Sequence, residues 1–592
     1  MITGKQIKIR KKHNILLYEG IGAFLVTMGI LQSISETMTR NYLLMALVFV
    51  ASFVIVHYGI LNYSKRRLKC SLFYCIPFGL AFWVGQKVIY QSAIIKDFAA
   101  EDVLLILVFV ALFTLMSMCV LGFIDRRVYK PVKKMAGEGG QWWIYSLIIL
   151  LCWIPLFLAF FPGIVSVDSA VQLRQAVGEG AWSNWHPVLH TLFVAVPVNI
   201  GMSIFGGDLT AGIALSTLLQ MLLLSAIFGY VIKWVMELTQ KKWIGYLLMA
   251  FFGICPIVAC YAVTMWKDVL FSAVFLLLFV KLYDLVNVKR RGEFVRFGDL
   301  WPIFLLTLLT GFLRNGGAII VFVLLAVMWI YYKQSWKIVL VGFGGVIIII
   351  MMIQGLVYKI LNISSSPLME SLSVPAQQFA YLANSEKMDD RMKEELAAFG
   401  SVDCLAEHYE PMNADPAKNC FDYNEVNNNK IGFLTIWAKY LPNYLPEYIK
   451  AYVLHSYAYW YIQGDVWALD FAHTHDEIWL KTSYNDKSLI GDTLKEMVEM
   501  VEKASTMVVW GGWINNVGIM FWGVFYMLMV FVYQKRYEML IPLSGILAYM
   551  ISLLVASPVS WIFRYVYSLL LIMPILMIVC FINIKKLKGD MK

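Results

Sequence analysis

Between Phe161 and Thr191 the chain reads FPGIVSVDSAVQLRQAVGEGAWSNWHPVLHT. This short stretch gathers one acid (Asp168), two glutamines (Gln172 and Gln175), an arginine (Arg174) and two histidines (His186 and His190). A carboxylate such as Asp168 can take a proton from a hydroxyl. His186-Pro187 opens an apolar run, and proline suits the first turn of a helix. A helix start offers free backbone amides and the positive end of the dipole to an anion. His186 can add a hydrogen bond to a phosphate there, and His190, one turn on, shares its face. Each residue also has a plain reading: Asp168 as a solvated turn residue or helix cap, the histidines as hydrogen-bonded core residues. Zinc is not expected, because the spacing implies no third ligand.

Similar chemistry recurs downstream. Lys267-Asp268 occupies a very short turn between apolar runs, where the two residues either pair with each other or place a second acid opposite Asp168. Arg314-Asn315-Gly316 and Arg564-Tyr565 lie in comparable turns. A guanidinium holds a phosphate through two parallel hydrogen bonds; at a span end it also serves as a simple anchor. Gln377-Gln378 can reach sugar hydroxyls or form a solvated helix start. His473-Thr474-His475-Asp476-Glu477 matches a metal-ligand set in composition alone, and a solvated loop is expected there.

These groups need a scaffold, and composition sets its class. Apolar residues make up 60% of 592 positions and charged residues 15%, whereas a soluble domain carries about 25% charged residues. Many apolar runs reach the roughly 20 residues that cross a bilayer as a helix. The expected fold is therefore an all-α, multi-pass membrane protein. No cleavable leader is expected, because the basic stretch Lys5 to His13 is followed by an apolar run without a small-residue cleavage site. The net charge of +10 does not point to nucleic acid, since the basic residues flank apolar runs, where they fix orientation.

The loops Lys65 to Lys69 and Arg126 to Lys134 are basic, like the N-terminal stretch, while Ser33 to Arg40 and Tyr90 to Glu101 are nearly neutral. The N-terminus is thus expected in the cytoplasm and the loop 161–191 outside. If every later run crossed, the basic loop Val288 to Arg296 and the basic tail Lys585 to Lys588 would fall outside. Removing the short run 189–206, broken by Pro197 and Gly201, corrects both, which leaves 14 crossings with both termini inside. Asp168, His186, Lys267-Asp268, Arg314 and Arg564 then share the outer face. The expected parts are a four-helix module (1–135), a core (136–358), an outer, mainly helical domain (359–508) and C-terminal helices (509–592). Within the outer domain a helix is expected from Glu386 to Ala398, and aromatic interfacial segments at Tyr452 to Trp460 and Trp467 to Phe471. Cys404 and Cys420 share this domain, and outside the cell they either pair or stay free thiols.

In order, these features resemble the GT-C type glycosyltransferases, particularly the branch of protein O-mannosyltransferases and aminoarabinose lipid A transferases. The matching residues are Asp168, His186-Pro187-Val188-Leu189, Phe205-Gly206-Gly207 and Asp268, and the likeness runs over about residues 141–580. The set FPG, DS, HP, HT, a KD turn, an RNG turn, a PxQQ loop and a late RY pair is also similar to a bacterial family of membrane proteins without an assigned activity. The resemblance implies a glycosyltransferase of the bacterial cell membrane that uses a polyprenyl-phosphate sugar and an envelope polymer, lipid or protein acceptor. Asp168 and Asp268 would be the catalytic acids. His186, His190, Lys267, Arg314 and Arg564 would bind the donor phosphate, and Gln172, Asn315, Gln377, Gln378 and Tyr565 would contact substrate. The helix after Pro187 would be juxtamembrane. This chain departs from the pattern with His186 in place of the usual lysine, HPV in place of HPP, and a single first acid. A divalent metal (Mg or Mn) therefore stays open, and no other cofactor is implied. The rival reading is a transporter or lipid flippase, which should show broken central helices and repeat symmetry.

Overall fold

The computed structural model describes residues 19–28, 42–91, 100–127, 141–290, 295–332, 336–462, 468–508 and 513–582. The basic N-terminal stretch, Ser33 to Arg40, Lys133-Lys134, Trp467 and the basic tail lie outside them. Among the described residues every regular element is a helix, and extended backbone pairs only as isolated bridges. The protein is an all-α membrane protein. Nine described helices are long and apolar enough to cross a bilayer, or ten if one bent pair counts as a single span.

Contacts divide the chain into two compact units. One contains α1 (Glu19–Met28), α2 (Tyr42–Leu61), α3 (Lys65–Gln91) and α4 (Ala100–Arg126), with residues 522–537 and 577–583. Inside it, Asp125 accepts hydrogen bonds from Arg67 at 2.6 Å and from the Tyr533 hydroxyl at 2.7 Å.

The other unit holds every candidate residue singled out above. Its helices begin with α5 (Trp142–Ala159), a span that leaves Leu147 and Leu151 exposed as a lipid-facing side requires. The short α6 (Val167–Ala176) and α7 (Val188–Ile204) follow, then α8 (Leu209–Thr239), whose first turn is capped by Asp208 on the amide of Thr210. The apolar stretch 243–262 is not one straight helix. It divides at Cys255 into α9 (Lys242–Ile254) and α10 (Pro256–Ala262), bent by 57°, because Pro256 cannot donate to the ladder of α9. α11 (Lys267–Arg290) is the most deeply enclosed span. α12 (Phe297–Leu313), α13 (Gly317–Tyr331) and α14 (Trp336–Met352) complete this set. α7, α12 and α13 have 15 to 17 residues, about 23–26 Å of helix against a hydrocarbon layer of about 30 Å.

The polar region has its own core. Phe379 on α15 (Ser373–Asn384), Phe399, Phe421 and Phe433 on α16 (Lys430–Tyr440) cluster there, with ring centroids 5.4–5.7 Å from that of Phe433. The helix expected from Glu386 starts only at Asp390. Glu386 takes a left-handed φ of 54°, and Asp389 caps the helix by accepting the amide of Met392. The aromatic segment Tyr452 to Trp460 is not an interfacial belt. Its first half continues α17 (Leu445–His455), and Tyr457 and Tyr459 are buried, with Tyr459 packed on Phe521 and donating to the Ser557 hydroxyl. The later long helices are α18 (Asp492–Val508), α19 (Val517–Tyr533), α20 (Leu540–Ala556) and α21 (Tyr567–Cys580).

Cys404 and Cys420 form a disulfide that closes a loop of 16 residues. His408 reaches the Cys404 sulfur at 3.6 Å, but both thiols are committed to the bond. Closing a loop of this length stabilises by about 3 kcal/mol. Reducing agent, or a Cys404→Ala/Cys420→Ala variant, should lower the unfolding free energy of the protein by about that amount, read by denaturant unfolding with and without reductant.

Candidate functional site

Asp168 stands in the first turn of α6, where a carboxylate is favoured by the helix dipole. The backbone ahead of it is laced to the end of α10. Ile164 donates to the Val263 carbonyl at 2.9 Å, Met265 donates to the Ile164 carbonyl at 3.1 Å, and the Ser169 hydroxyl donates to the Met265 carbonyl at 2.6 Å. The Gln220 amide on α8 grips the carbonyls of Ala262 and Thr264. Gly163 permits this close approach: its φ is +123°, and a Cβ there would lie 2.1 Å from the Thr217 hydroxyl. These bonds set the first turn of α6 beside the first turn of α11, and so bring Asp168 to Lys267.

Two cations meet on one oxygen of Asp168. Arg564 Nη1 donates to Oδ2 at 2.8 Å, and Lys267 Nζ lies 3.6 Å from the same atom. Burial favours the neutral acid, but Arg564 and Lys267 outweigh it and hold the Asp168 carboxyl well below the usual carboxylate range. The Asp168 side chain keeps 27% of its surface open, so a substrate hydroxyl can reach it. Lys267 Nζ also donates to His186 Nδ1 at 2.9 Å, which leaves the proton of a neutral imidazole on Nε2. His186 itself is fixed by Asn315, whose amide donates to the carbonyls of Asn184 and Trp185 at 3.1 and 3.0 Å. Asn315 thus positions the loop.

Asp268 is the second acid, 2% exposed. Arg314 Nη1 donates to its Oδ1, and its Oδ2 is buried without a hydrogen-bond partner. Aromatic faces support both guanidiniums: Arg314 lies 4.9 Å from the Tyr549 ring, and Arg564 lies 5.4 Å from Trp266 and 5.1 Å from Tyr565. Arg564 Nη2 approaches the Tyr565 hydroxyl at 3.4 Å, while its Nε is buried with no partner. The loop before Arg564 is held by the polar region. Ala414 donates to the Pro558 carbonyl at 2.7 Å, and His455 Nε2 bonds the Ser557 carbonyl at 2.9 Å. Among the described residues the ion pairs of these three cations are with Asp168 and Asp268, and Asp470 also feels the charge of Arg564.

A family model, described as a family of unknown function (DUF6020), matches residues 177–590, well over half of the chain. The chain belongs to the DUF6020 family. No curated protein and no solved structure matches it. The matched stretch of this DUF6020 chain takes in His186, Lys267, Asp268, Arg314 and Arg564, and begins nine residues after Asp168.

The other sequence candidates have different places. Gln172 and His190 form a buried network: His190 Nδ1 meets Gln172 Oε1 at 3.1 Å, and Gln172 donates to the Thr191 hydroxyl at 3.0 Å. Gln377 and Gln378 are buried in the polar region. Gln377 bonds the carbonyls of Glu410 and Asn413, and Gln378 bonds the Tyr448 carbonyl and accepts from the Trp437 indole. Those bonds hold protein backbone together, so neither a substrate contact nor a solvated helix start describes them. His473 is not solvated either. Its side chain is buried beside His475, Tyr484 and Asp486, and burial pushes it down to about 4.

Three contributors carried no sequence signal of their own. Trp266 and Tyr549 are the supports of the arginines, and Glu179 fastens segment 481–482 by accepting the amides of Lys481 and Thr482 at 2.8 and 2.7 Å. Of these only Trp266 was within reach, since it directly precedes Lys267-Asp268.

Burial and the neighbouring Lys267 push His186 down to about 3, from an ordinary value of 6.5. The unfolded chain therefore binds a proton at His186 below about pH 6.5, and the folded chain does not until far lower. Stability is lost as pH falls. His186→Gln should reduce the loss between pH 7 and pH 5 by about 2 kcal/mol, measured by unfolding in detergent at both pH values.

Proposed function

We propose that the chain is a membrane glycosyltransferase that moves a sugar from a polyprenyl-phosphate donor to an envelope polymer, lipid or protein acceptor. In this reading the fold is GT-C-like, with about 14 crossings by the loop-charge argument, both termini cytoplasmic and the cluster at the outer face of the bacterial cell membrane. One observation carries the reading: among the described residues Lys267, Arg314 and Arg564 gather in one cluster, where their ion pairs are with Asp168 and Asp268, and Arg564 keeps a buried Nε–H without a partner. Three clustered cations with an unused donor suit an anion, and arginine suits a phosphate.

The reaction needs a proton acceptor and a place for charge to collect. Asp168 takes the proton of the acceptor hydroxyl as that oxygen bonds the anomeric carbon. The bond from the anomeric carbon to the phosphate oxygen breaks, and the departing polyprenyl phosphate gains negative charge. Arg564, Lys267 and the Nε2–H of His186 meet that charge. Because Arg564 and Lys267 then divide themselves between phosphate and Asp168, donor binding loosens their hold on the carboxylate and raises its basicity. Asp268 and Arg314 orient the site from its buried side.

A divalent cation does not suit these residues. Asp168 and Asp268 already face cations, which a metal would have to displace. Transfer is expected to continue unchanged in excess EDTA; a loss of activity restored by Mg or Mn would contradict this. The bent pair α9–α10 is the broken helix that a transporter would need. On the protein side its break is closed by buried Phe252, Cys255 and Ile257, while Ile254 faces outward, and it leads to the backbone that positions Lys267, which favours the enzyme. The deciding experiment reconstitutes the purified chain with polyprenyl-phosphate sugars and follows release of polyprenyl phosphate. No release from any donor, with lipid translocation present instead, would establish the transporter reading.

A further inference from the structure

Segment 468–508 carries a surface that the charged cluster does not use. Leu480 and Tyr484 pack inward against Val165, Ala170 and Leu173. α18 follows, and it cannot cross a membrane, because it holds four acids and two lysines between Asp492 and Lys503. At the turn of an α-helix, its Leu494, Met497, Met500 and Val501 share an arc of about 120°. All four are exposed, by 50–68%. Its charged edge turns toward the protein instead: Lys495 Nζ lies 5.5 Å from the Phe160 ring, and Lys503 Nζ lies 5.5 Å from Phe471, which stacks on Phe160 at 4.8 Å. A helix of a water-facing domain would show the opposite arrangement.

The depth of this apolar arc follows from its attachment. The Leu489 amide donates to the Leu158 carbonyl at 2.9 Å, one residue before the end of the span α5. α18 starts three residues later, at the level where α5 leaves the hydrocarbon. The apolar arc therefore continues the lipid-facing surface of α5 into the boundary between acyl chains and headgroups.

We propose that α18 is an interfacial helix, with its face of Leu494, Met497, Met500 and Val501 seated in bilayer phospholipid at the end of α5 nearest Asp168. With twice as many acids as lysines, it binds through apolar area and not through attraction to anionic headgroups. The seat also steadies the segment ahead of it. That segment reaches the Asp168 loop through Thr474, whose amide donates to the Val165 carbonyl at 2.9 Å, and through the bonds of Glu179 to Lys481 and Thr482. The inference does not depend on sugar transfer.

The test places a photoreactive amino acid at Met497, Val501, Glu496 or Leu151 of the full chain in phosphatidylcholine nanodiscs. Leu151 on α5 is the lipid-facing control. After irradiation, mass spectrometry should find phospholipid adducts at 497 and 501 at the level of 151, and about tenfold above 496, which projects from the polar side. Adducts at 497 and 501 no higher than at 496, or crosslinks there to a second copy of the chain, would overturn the proposal.

Discussion

Asp168→Asn should reduce sugar transfer by about 10²- to 10⁴-fold, the usual contribution of a positioned proton acceptor. The amide keeps the shape of the side chain and one oxygen for the Arg564 bond at 2.8 Å. What it loses is the lone pair that can take a proton and the charge that balances Lys267. Because the side chain is partly open, the variant should still fold, and its elution and unfolding midpoint should stay close to those of the parent. Polyprenyl phosphate release per mole of folded protein is the measurement. Wild-type release in this variant would take Asp168 out of the mechanism and leave Asp268 as the remaining carboxylate of the cluster. Donor affinity should not fall with it, since removing an acid leaves more positive charge for a phosphate.

Arg314→Met should act on stability, by about 3–5 kcal/mol, the effect of removing one partner from a buried ion pair. Asp268 exposes only 3% of its side chain and Arg314 16%. The Met variant leaves the Asp268 carboxylate buried, with its Oδ2 already lacking a partner. It also removes a cation from the faces of Phe271 and Tyr549, at 5.5 and 4.9 Å. The double variant Arg314→Met/Asp268→Leu should recover most of the loss, because no isolated charge remains. Denaturant unfolding in detergent of the two singles and the double forms the cycle. A single Arg314→Met as stable as the parent would mean that the pair is open to water.

Much of the site could be read from residue types because membrane chains are sparing with charge. Asp168, His186, Lys267, Asp268, Arg314 and Arg564 stood out against apolar surroundings, and the structure links Asp168, His186, Lys267 and Arg564 in one set and pairs Asp268 with Arg314. Asn315 was found for the same reason, though its bonds to Asn184 and Trp185 give it a backbone to hold. Gln377 and Gln378 misled because an amide pair looks the same whether it meets a sugar or a carbonyl; only the fold places Glu410 and Tyr448 beside them. The aromatic run Tyr452 to Trp460 misled for a related reason. Its composition suits an interface, but Phe521 and Ser557 bury it, and both lie far along the chain. The bend at Cys255 was readable from Pro256, whereas the left-handed turn at Glu386 was not, since glutamate seldom adopts it.

The bond between Arg564 and Asp168 spans 396 residues. A ribosome adding about 5–20 residues each second needs roughly 20–80 seconds to cover that distance. Throughout that wait the nascent chain displays Asp168, joined by Lys267 for the later part of it, without the guanidinium that finally pairs with the acid. Chaperoning of half-inserted intermediates, and quality control that senses an unanswered charge, would act in this window. A chain cut short before residue 564 would lack the last charged partner of this cluster.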